Sequence, residues 1–212
     1  MNDSPYVQYG CGLSAPATWR NFDASPSLRI ERIPLLGRLF KKNARTFPRN
    51  VEFGDIVRGL PVGADTCSAV YCSHVLEHLA LEDCRAAMRN TCKILKPRGI
   101  FRLVLPDLEH EINQYLRNPA SDAALSLLRV TLLGQERRPR GPRASLSIWF
   151  GNAPHRWMWD YKALAEELQQ AGFVDIRRAQ FGDFTDPMFR DVEDPGRWNN
   201  CLGVECRKDG RA

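Results

Sequence analysis

A pattern of histidine and glutamate residues is the first feature of this sequence that could do chemistry. His74, Glu77 and His78 stand in the order His-x-x-Glu-His within "SHVLEHL", residues 73–79. On a regular helix, two histidines at this spacing can hold a zinc ion while the glutamate acts as general base in peptide hydrolysis. The pattern therefore indicates either a zinc peptidase or a segment that lies beside another bound group.

The residues just before this pattern favour the second interpretation. The apolar run "AVYC", residues 69–72, predicts a strand that ends immediately before His74. His74 then falls at a junction between strand and helix, where the regular helix that zinc binding needs is incomplete. Zinc peptidase activity stays as an alternative, and the sequence predicts no metal site.

Length and composition predict one globular domain over residues 1–212. Of the 212 residues, 43% are hydrophobic and 26% are charged, which is enough to build a buried core. No window approaches the roughly 20 apolar residues of a membrane span, and the first ten residues lack the features of a signal peptide. We therefore expect a cytoplasmic protein with no membrane span, in which the seven cysteines are free thiols.

Positive charge is concentrated in two segments of this chain, whose formal net charge is +5. One runs from Arg38 to Arg49, and the other is "ERRPRGPR", residues 136–143. Such segments can meet a phosphate or a carboxylate. Neither alternates with aromatic residues that could stack on bases, so nucleic acid is not the expected partner.

Alternating strand and helix signals predict the fold. An apolar face on residues 84–95, stopped by Pro97 and Gly99, predicts one helix, and a second is expected from Asp160 to Gly172. Strands joined through helices imply a parallel α/β sheet with right-handed crossovers. Seven short runs read as strands: "YVQYG", "WRNFD", "NVEFGDI", "TCSAVYC", "GIFRLVLPD", "FVDIRRAQF" and "NCLGVECRK".

The ends of the predicted strands carry the residues that could hold a ligand, because ligands of such sheets bind beyond the carboxyl ends of the strands. Gly10 and Gly12 would let the backbone turn tightly and approach a ligand closely. Asp23 could accept hydrogen bonds from both hydroxyls of a ribose, or it could be a surface aspartate in a turn. Asp55 could accept a hydrogen bond from an adenine amino group or simply cap a turn. This order of residues suits an adenosine lying across the top of the sheet.

In this order the motifs resemble those of the class I S-adenosylmethionine-dependent methyltransferases, in particular the branch with "LEH" after the fourth strand. The resemblance runs over most of the chain, from "VQYGCG" to "LGVECRK". It implies a Rossmann-like α/β fold: a seven-stranded, mostly parallel sheet with helices on both faces and the last strand antiparallel. It also implies S-adenosylmethionine as cofactor and an acceptor that is a small or saccharide-like molecule, which the arginines suggest can be acidic.

The resemblance assigns roles to single residues. The glycine turn would lie under the methionine part of the cofactor, Asp23 would bind the ribose, and the strand-end segment after residue 72 would line the cofactor and the mouth of the acceptor pocket. Residues 108–159 are expected to build that pocket. The cofactor-binding candidates are Gly10, Cys11, Gly12, Asp23, Asp55, Ile56, Ser73 and His74.

An oxygen nucleophile would need a nearby base, a task that suits histidine at neutral pH. The catalytic candidates are His74 and His155, with Asp107 at the fifth strand end as an alternative.

Several departures from the family pattern suggest a second hypothesis. Gln8 stands where the first strand usually has an acid, and Ser14 replaces the third glycine of the turn. Gly12 and Asp23 are only eleven positions apart, whereas a crossover with a full helix needs about 20 residues, so we expect a shortened first helix. The alternative function is therefore a cofactor-binding or interaction module on the same fold that has lost turnover.

Overall fold

The computed structural model describes residues 4–33, 46–136 and 154–210, and most of the two basic segments lies outside them. Within these ranges seven strands form one sheet in the order β3-β2-β1-β4-β5-β7-β6. Strand β7 runs antiparallel to β5 and β6, and the other pairs are parallel, so the predicted sheet is confirmed. The strands are β1 (Tyr6–Tyr9), β2 (Arg20–Asp23), β3 (Val51–Phe53), β4 (Cys67–Ser73), β5 (Leu95–Pro106), β6 (Phe173–Ala179) and β7 (Cys201–Lys208).

Both helices predicted from apolar periodicity are present. The first, α2, ends at Ile94, and the chain enters β5 directly at Leu95, before the predicted stop at Pro97. The second, α5, begins after Asp160, whose carboxylate accepts the Ala163 N–H at 2.8 Å. The helices are α1 (Pro26–Glu31), α2 (Leu81–Ile94), α3 (Leu108–Arg117), α4 (Ala123–Val130) and α5 (Tyr161–Gln170). Every helix in the described ranges is too short or too polar to cross a bilayer.

Alternate residues of the central strands face two different layers, as the twofold period of a strand requires. Val70 and Cys72 of β4, with Phe101 and Leu103 of β5, point to a core formed with the apolar faces of α2 and α5. Their neighbours Ala69, Tyr71, Ile100 and Val104 point to a second core on the opposite face. This alternation places Ser73, the last residue of β4, on the same side as Tyr71.

The opposite face of the sheet is covered by the loop between β1 and β2 and by the chain between β6 and β7. Residues 10–19, all of them described, form turns and no helix between β1 and β2. The sequence predicted a shortened first crossover helix, and in the structure a loop replaces this helix entirely. The chain between β6 and β7, residues 180–200, lies on this face and contains two short 3₁₀ turns. We call it the β6–β7 segment. Trp198 packs directly on Gly203, where a Cβ atom would lie 2.2 Å from the ring.

A buried arginine holds the β6–β7 segment on the sheet. Arg102, in the middle of β5, is fully buried, and its Nε lies 2.6 Å from the Glu193 carboxylate. Its Nη1 lies 3.0 Å from Asp183 and 3.0 Å from Glu205 of β7. The guanidinium also lies 4.7 Å from the Trp198 ring centroid. A buried charge is tolerated only when it is paired in this way. The carboxylates of the segment therefore stabilise the buried guanidinium, and the guanidinium holds the segment on the sheet.

We predict that Arg102→Met destabilises the fold strongly. Methionine fills much of the same volume but leaves Glu193, which is also buried, without its partner, and such a loss costs about 3–5 kcal/mol. Urea unfolding followed by circular dichroism measures the change. The control is Arg98→Met, which breaks an exposed pair with Asp175 and should cost less than about 1 kcal/mol. Equal losses in the two variants would contradict the importance of the buried cluster.

Candidate functional site

The loop after β1 has the glycine conformations that the sequence predicted. Gly10 and Gly12 both adopt positive φ angles, of 65° and 55°. A Cβ atom on Gly10 would lie 2.1 Å from Cγ2 of Val75, so glycine is required where the loop meets the turn after β4. A Cβ atom on Gly12 would meet nothing within 4 Å among the described residues. Gly12 therefore leaves an open surface above the strand end.

Asp23 fixes this loop from the neighbouring strand. Its buried carboxylate accepts the Gly12 N–H at 2.9 Å and the Ser25 N–H at 2.8 Å, each on a different oxygen. A carboxylate oxygen can accept more than one hydrogen bond, so each oxygen keeps a lone pair for a ligand hydroxyl. The geometry thus combines a structural role with the capacity to bind a ligand.

Gln8 has a role that explains its departure from the family's acid. Its buried amide donates to the Ser14 carbonyl at 2.8 Å and to Asn21 Oδ1 at 2.5 Å. The Asn21 amide in turn donates to the carbonyls of Pro16 and Trp19. These bonds fix the loop that stands in place of the first crossover helix, and they need donors at residue 8, which an ionised acid lacks.

A cavity of about 460 Å³ opens between the glycine loop and the β6–β7 segment. Two buried hydroxyls on its wall, those of Tyr71 and Ser73, make no hydrogen bond of regular geometry among the described residues. Buried hydroxyls without such bonds are costly, so a polar ligand in the cavity would satisfy them. The glycine loop and Ser73 were predicted from the sequence, but the outer wall, formed by residues 192–194 and Arg197, was not. The lining residues are residues 8–14, Tyr71, Ser73, and residues 192–194 and Arg197.

Four predicted cofactor-binding residues lie outside the lining of this cavity. One is Asp23, which adjoins the lining through its hydrogen bond with Gly12. The others are Asp55, Ile56 and His74. The Asp55 carboxylate accepts the Val57 N–H at 3.0 Å and lies 3.6 Å from Arg58 Nε. Ile56 is buried in the core next to α2. His74 follows Ser73 but is not part of the lining; its Nε2 contacts the carbonyl of Arg197, which is. Cys11, which does line the cavity, has a thiol whose pKa is raised to about 12 by burial and by the charge of Asp23.

His74 connects the turn after β4 to the β6–β7 segment. The residue has a φ of 53°, and its Nε2 lies 3.0 Å from the Arg197 carbonyl. Its Nδ1 lies 3.2 Å from Glu77 Oε1. Burial opposes a charge on this ring, but contacts with the Cys201 thiol, Glu77 and the Arg197 carbonyl outweigh burial and raise the His74 pKa to about 10. An imidazolium at neutral pH is a better positioning group than a base.

The segment with the His-x-x-Glu-His pattern is not a regular helix. Leu76–His78 form a single 3₁₀ turn, and His74 lies before it with a left-handed backbone. The carbonyl of Glu77 instead accepts the N–H groups of Arg156 at 2.7 Å and Trp157 at 3.1 Å. These two bonds bring His155 beside the turn, with its ring centroid 5.0 Å from that of His78. Burial lowers the His155 pKa, against the attraction of the Glu77 carboxylate.

Asp107 lies at the end of β5, where its carboxylate caps α3. It accepts the N–H groups of Glu109 at 2.9 Å and His110 at 3.4 Å, and it lies 3.7 Å from Arg178 Nη1. These are the contacts of a helix N-cap. The catalytic role of Asp107, like those of His74 and His155, stays a prediction.

Comparison with known proteins decides the family. The sequence model of one family, described as a methyltransferase domain, matches residues 11–177. The chain belongs to this methyltransferase family. The match covers Cys11 and Gly12 of the glycine loop, the three predicted acids Asp23, Asp55 and Asp107, and His155. It supports S-adenosylmethionine as the cofactor, as the sequence predicted. No curated protein sequence matches the methyltransferase.

Solved structures similar to this methyltransferase are distant in sequence. An S-adenosylmethionine-dependent methyltransferase of Thermotoga maritima is 14% identical, with 96% of this chain and 82% of that chain covered and a TM-score of 0.49. PigF with SAH is 15% identical, and the match covers 96% of this chain but about half (49%) of PigF, with a TM-score of 0.49. The YcgJ protein of Bacillus subtilis is 14% identical, with 96% and 91% covered and a TM-score of 0.47. The family assignment rests on the sequence match.

We predict that Gln8→Glu, the change toward the usual family residue, destabilises this methyltransferase by more than about 2 kcal/mol, because a buried carboxylate would face two acceptors. Urea unfolding measures the change. The control is Gln114→Glu on the exposed face of α3, where the same chemical change should stay within about 0.5 kcal/mol. If Gln8→Glu were as stable as the wild type, the amide would not be holding the loop.

Proposed function

We propose that this methyltransferase binds S-adenosylmethionine between the glycine loop and the β6–β7 segment and transfers its methyl group to a small or saccharide-like acceptor. The observation that carries the proposal is the cavity at the ends of β1 and β4, whose wall includes two buried hydroxyls that make no hydrogen bond of regular geometry among the described residues. A family match over residues 11–177 supports the same reaction class.

The residues at the strand ends fit the parts of this cofactor. The open surface at Gly12 would let a ligand approach the backbone closely. The lone pairs that Asp23 retains suit the two hydroxyls of a ribose. The hydroxyls of Tyr71 and Ser73, deeper in the cavity, could bond to the polar groups of the methionine part. We also propose that Asp55, shortly after β3, contacts the adenine, so that the site extends along the sheet from β1 past β2 to β3.

Methyl transfer requires little chemistry from the protein beyond alignment. S-adenosylmethionine supplies a methyl group on a sulfonium, and an acceptor atom displaces the sulfur in line, so proximity and orientation provide much of the acceleration. We assign His74 to positioning, because both ring nitrogens contact other groups. Asp107 has its carboxylate on the α3 N-terminus. Of the three predicted catalytic residues, we propose His155 as the one that faces the acceptor.

Charge near the site favours an acidic acceptor. Arg197 lines the cavity, and Arg156 is exposed beside His155. Guanidinium groups bind carboxylates and phosphates in two-point geometry. The exposed Trp157 offers a flat apolar surface of the kind on which a sugar ring packs. The acceptor pocket within residues 108–159 and the cytoplasmic location remain predictions.

The second candidate function is a cofactor-binding module without turnover. It is favoured by the replacement of the first crossover helix by a loop and by the charged state that contacts impose on His74. The two candidates share the cofactor site and differ in transfer. They are separated by incubating the protein with radiolabelled S-adenosylmethionine and a panel of sugar phosphates and sugar acids, because only an enzyme labels an acceptor.

We predict that Gly12→Leu loses cofactor binding while a matched variant keeps it. The leucine side chain would occupy the open surface where the cofactor is proposed to lie. Gly182→Leu is the control, because Gly182 has a φ of 78° and equally open surroundings but lies outside the cavity lining. Both variants should lose about 1–2 kcal/mol through backbone strain.

Isothermal titration with S-adenosylmethionine and S-adenosylhomocysteine reads out the difference. The wild type and Gly182→Leu should bind alike, and Gly12→Leu should bind at least about tenfold more weakly, a loss of about 1.4 kcal/mol. Equal affinities for all three proteins, or no binding by the wild type at millimolar ligand, would contradict the proposed cofactor site.

A further inference from the structure

Three side chains with metal-binding groups converge beside the turn after β4. Glu77, His78 and His155 each offer a ligand atom, and these atoms lie within 4.8 Å of one another. Ligands about 2.1 Å from a tetrahedral zinc ion lie about 3.4 Å apart, so side-chain movements of roughly 1 Å would bring all three onto one ion. Within the described residues this is the one such group of histidine, cysteine and acidic side chains.

The polar atoms of this cluster lack hydrogen bonds. Glu77 is 1% exposed, and a charged neighbour, His74, approaches its Oε1 at 3.2 Å. Neither carboxylate oxygen makes a hydrogen bond of regular geometry in the described part of the chain. The buried Nδ1 atoms of His78 and His155 also have none. Burying such groups without hydrogen bonds is costly, and the contact with His74 involves only Oε1 of the carboxylate. A bound cation would satisfy Glu77 together with the two imidazoles.

The backbone holds the cluster together independently of its side chains. The two hydrogen bonds from Arg156 and Trp157 to the Glu77 carbonyl fix the chain near His155 against the 3₁₀ turn. Gly10 packs on Val75, which begins the same turn, so the cluster is also fixed relative to the glycine loop. Preformed positions of this kind reduce the rearrangement that metal binding needs.

We propose that Glu77, His78 and His155 bind one divalent transition-metal ion of the zinc type. Two imidazoles and one carboxylate suit zinc and its neighbours, whereas magnesium and calcium prefer oxygen ligands. Three protein ligands leave at least one coordination position open, as in catalytic rather than structural sites. This site is separate from the cofactor cavity, whose lining contains none of the three residues.

His74 is not one of the proposed metal ligands, although the sequence pattern gives it that role. The pattern pairs His74 with His78 as two ligands on a helix, but the Nε2 of His74 contacts the Arg197 carbonyl and its Nδ1 lies beside Glu77. We infer that His74 orients the Glu77 carboxylate through Oε1, as groups that hydrogen-bond to metal ligands commonly do. The histidine that completes the set, His155, comes from a distant part of the sequence.

The test is metal binding by the chain of residues 1–212, after treatment with a chelator and under reducing conditions. Titration with Zn²⁺ against a chromophoric competitor should give one tight site per chain. His155→Ala and His78→Ala should each weaken that site at least about tenfold, while His110→Ala on α3 should leave it unchanged. Circular dichroism establishes that each variant is folded, and Mg²⁺ in place of Zn²⁺ should bind far more weakly.

The seven free cysteines offer a competing zinc site, and cobalt distinguishes it. The Co²⁺ complex of the proposed site should show absorption bands of a nitrogen and oxygen ligand set, without a charge-transfer band from thiolate. Absence of tight zinc binding, binding that His78→Ala and His155→Ala leave intact, a thiolate band, or a preference for Mg²⁺ would each overturn the proposal. None of these measurements uses S-adenosylmethionine or turnover, so their result is independent of the proposed function.

Discussion

The structure depends on the pairing of Arg102 with Glu193 across the face of the sheet. This ion pair, with both side chains buried, holds the β6–β7 segment on the face of the sheet that carries the second core. The segment supplies the outer wall of the cavity through residues 192–194 and Arg197. The Arg197 carbonyl then contacts His74 and fixes the turn after β4. One charge inside β5 thus connects the core, the cavity and the metal-binding cluster.

A loop fixed by polar contacts can replace a helix at a ligand site if every buried polar group is satisfied. Gln8 and Asn21 bond to each other and satisfy three carbonyls of the loop between β1 and β2, those of Ser14, Pro16 and Trp19. Asp23 fixes the glycine end of the loop. Such networks are sensitive to one wrong donor or acceptor. The departure at Gln8 is therefore part of a consistent local solution, in which Gly10 and Gly12 keep the positive φ angles of a tight turn.

The elements with a regular period could be predicted from the sequence, and the irregular ones could not. The strands, α2, α5 and the glycine turn follow from local patterns of apolar residues and from Gly10 and Gly12. The β6–β7 segment has no period, because it is built from turns and aromatic contacts that form only against the sheet. The available signal was Arg102, a charge within the apolar run "GIFRLVLPD". His155 lies beside Glu77 because the N–H groups of Arg156 and Trp157 bond to the Glu77 carbonyl. Contacts between such distant parts of the chain cannot be predicted from a local sequence pattern.

A crystal structure of the protein with S-adenosylhomocysteine tests the central claim most directly, because it shows where the cofactor lies. We predict that the methionine part lies between Gly12 and the wall formed by residues 192–194 and Arg197. The hydroxyls of Tyr71 and Ser73 should bond to the ligand, and the ribose should lie at Asp23. Ligand density elsewhere on the sheet, or an empty cavity at saturating ligand, would contradict the account.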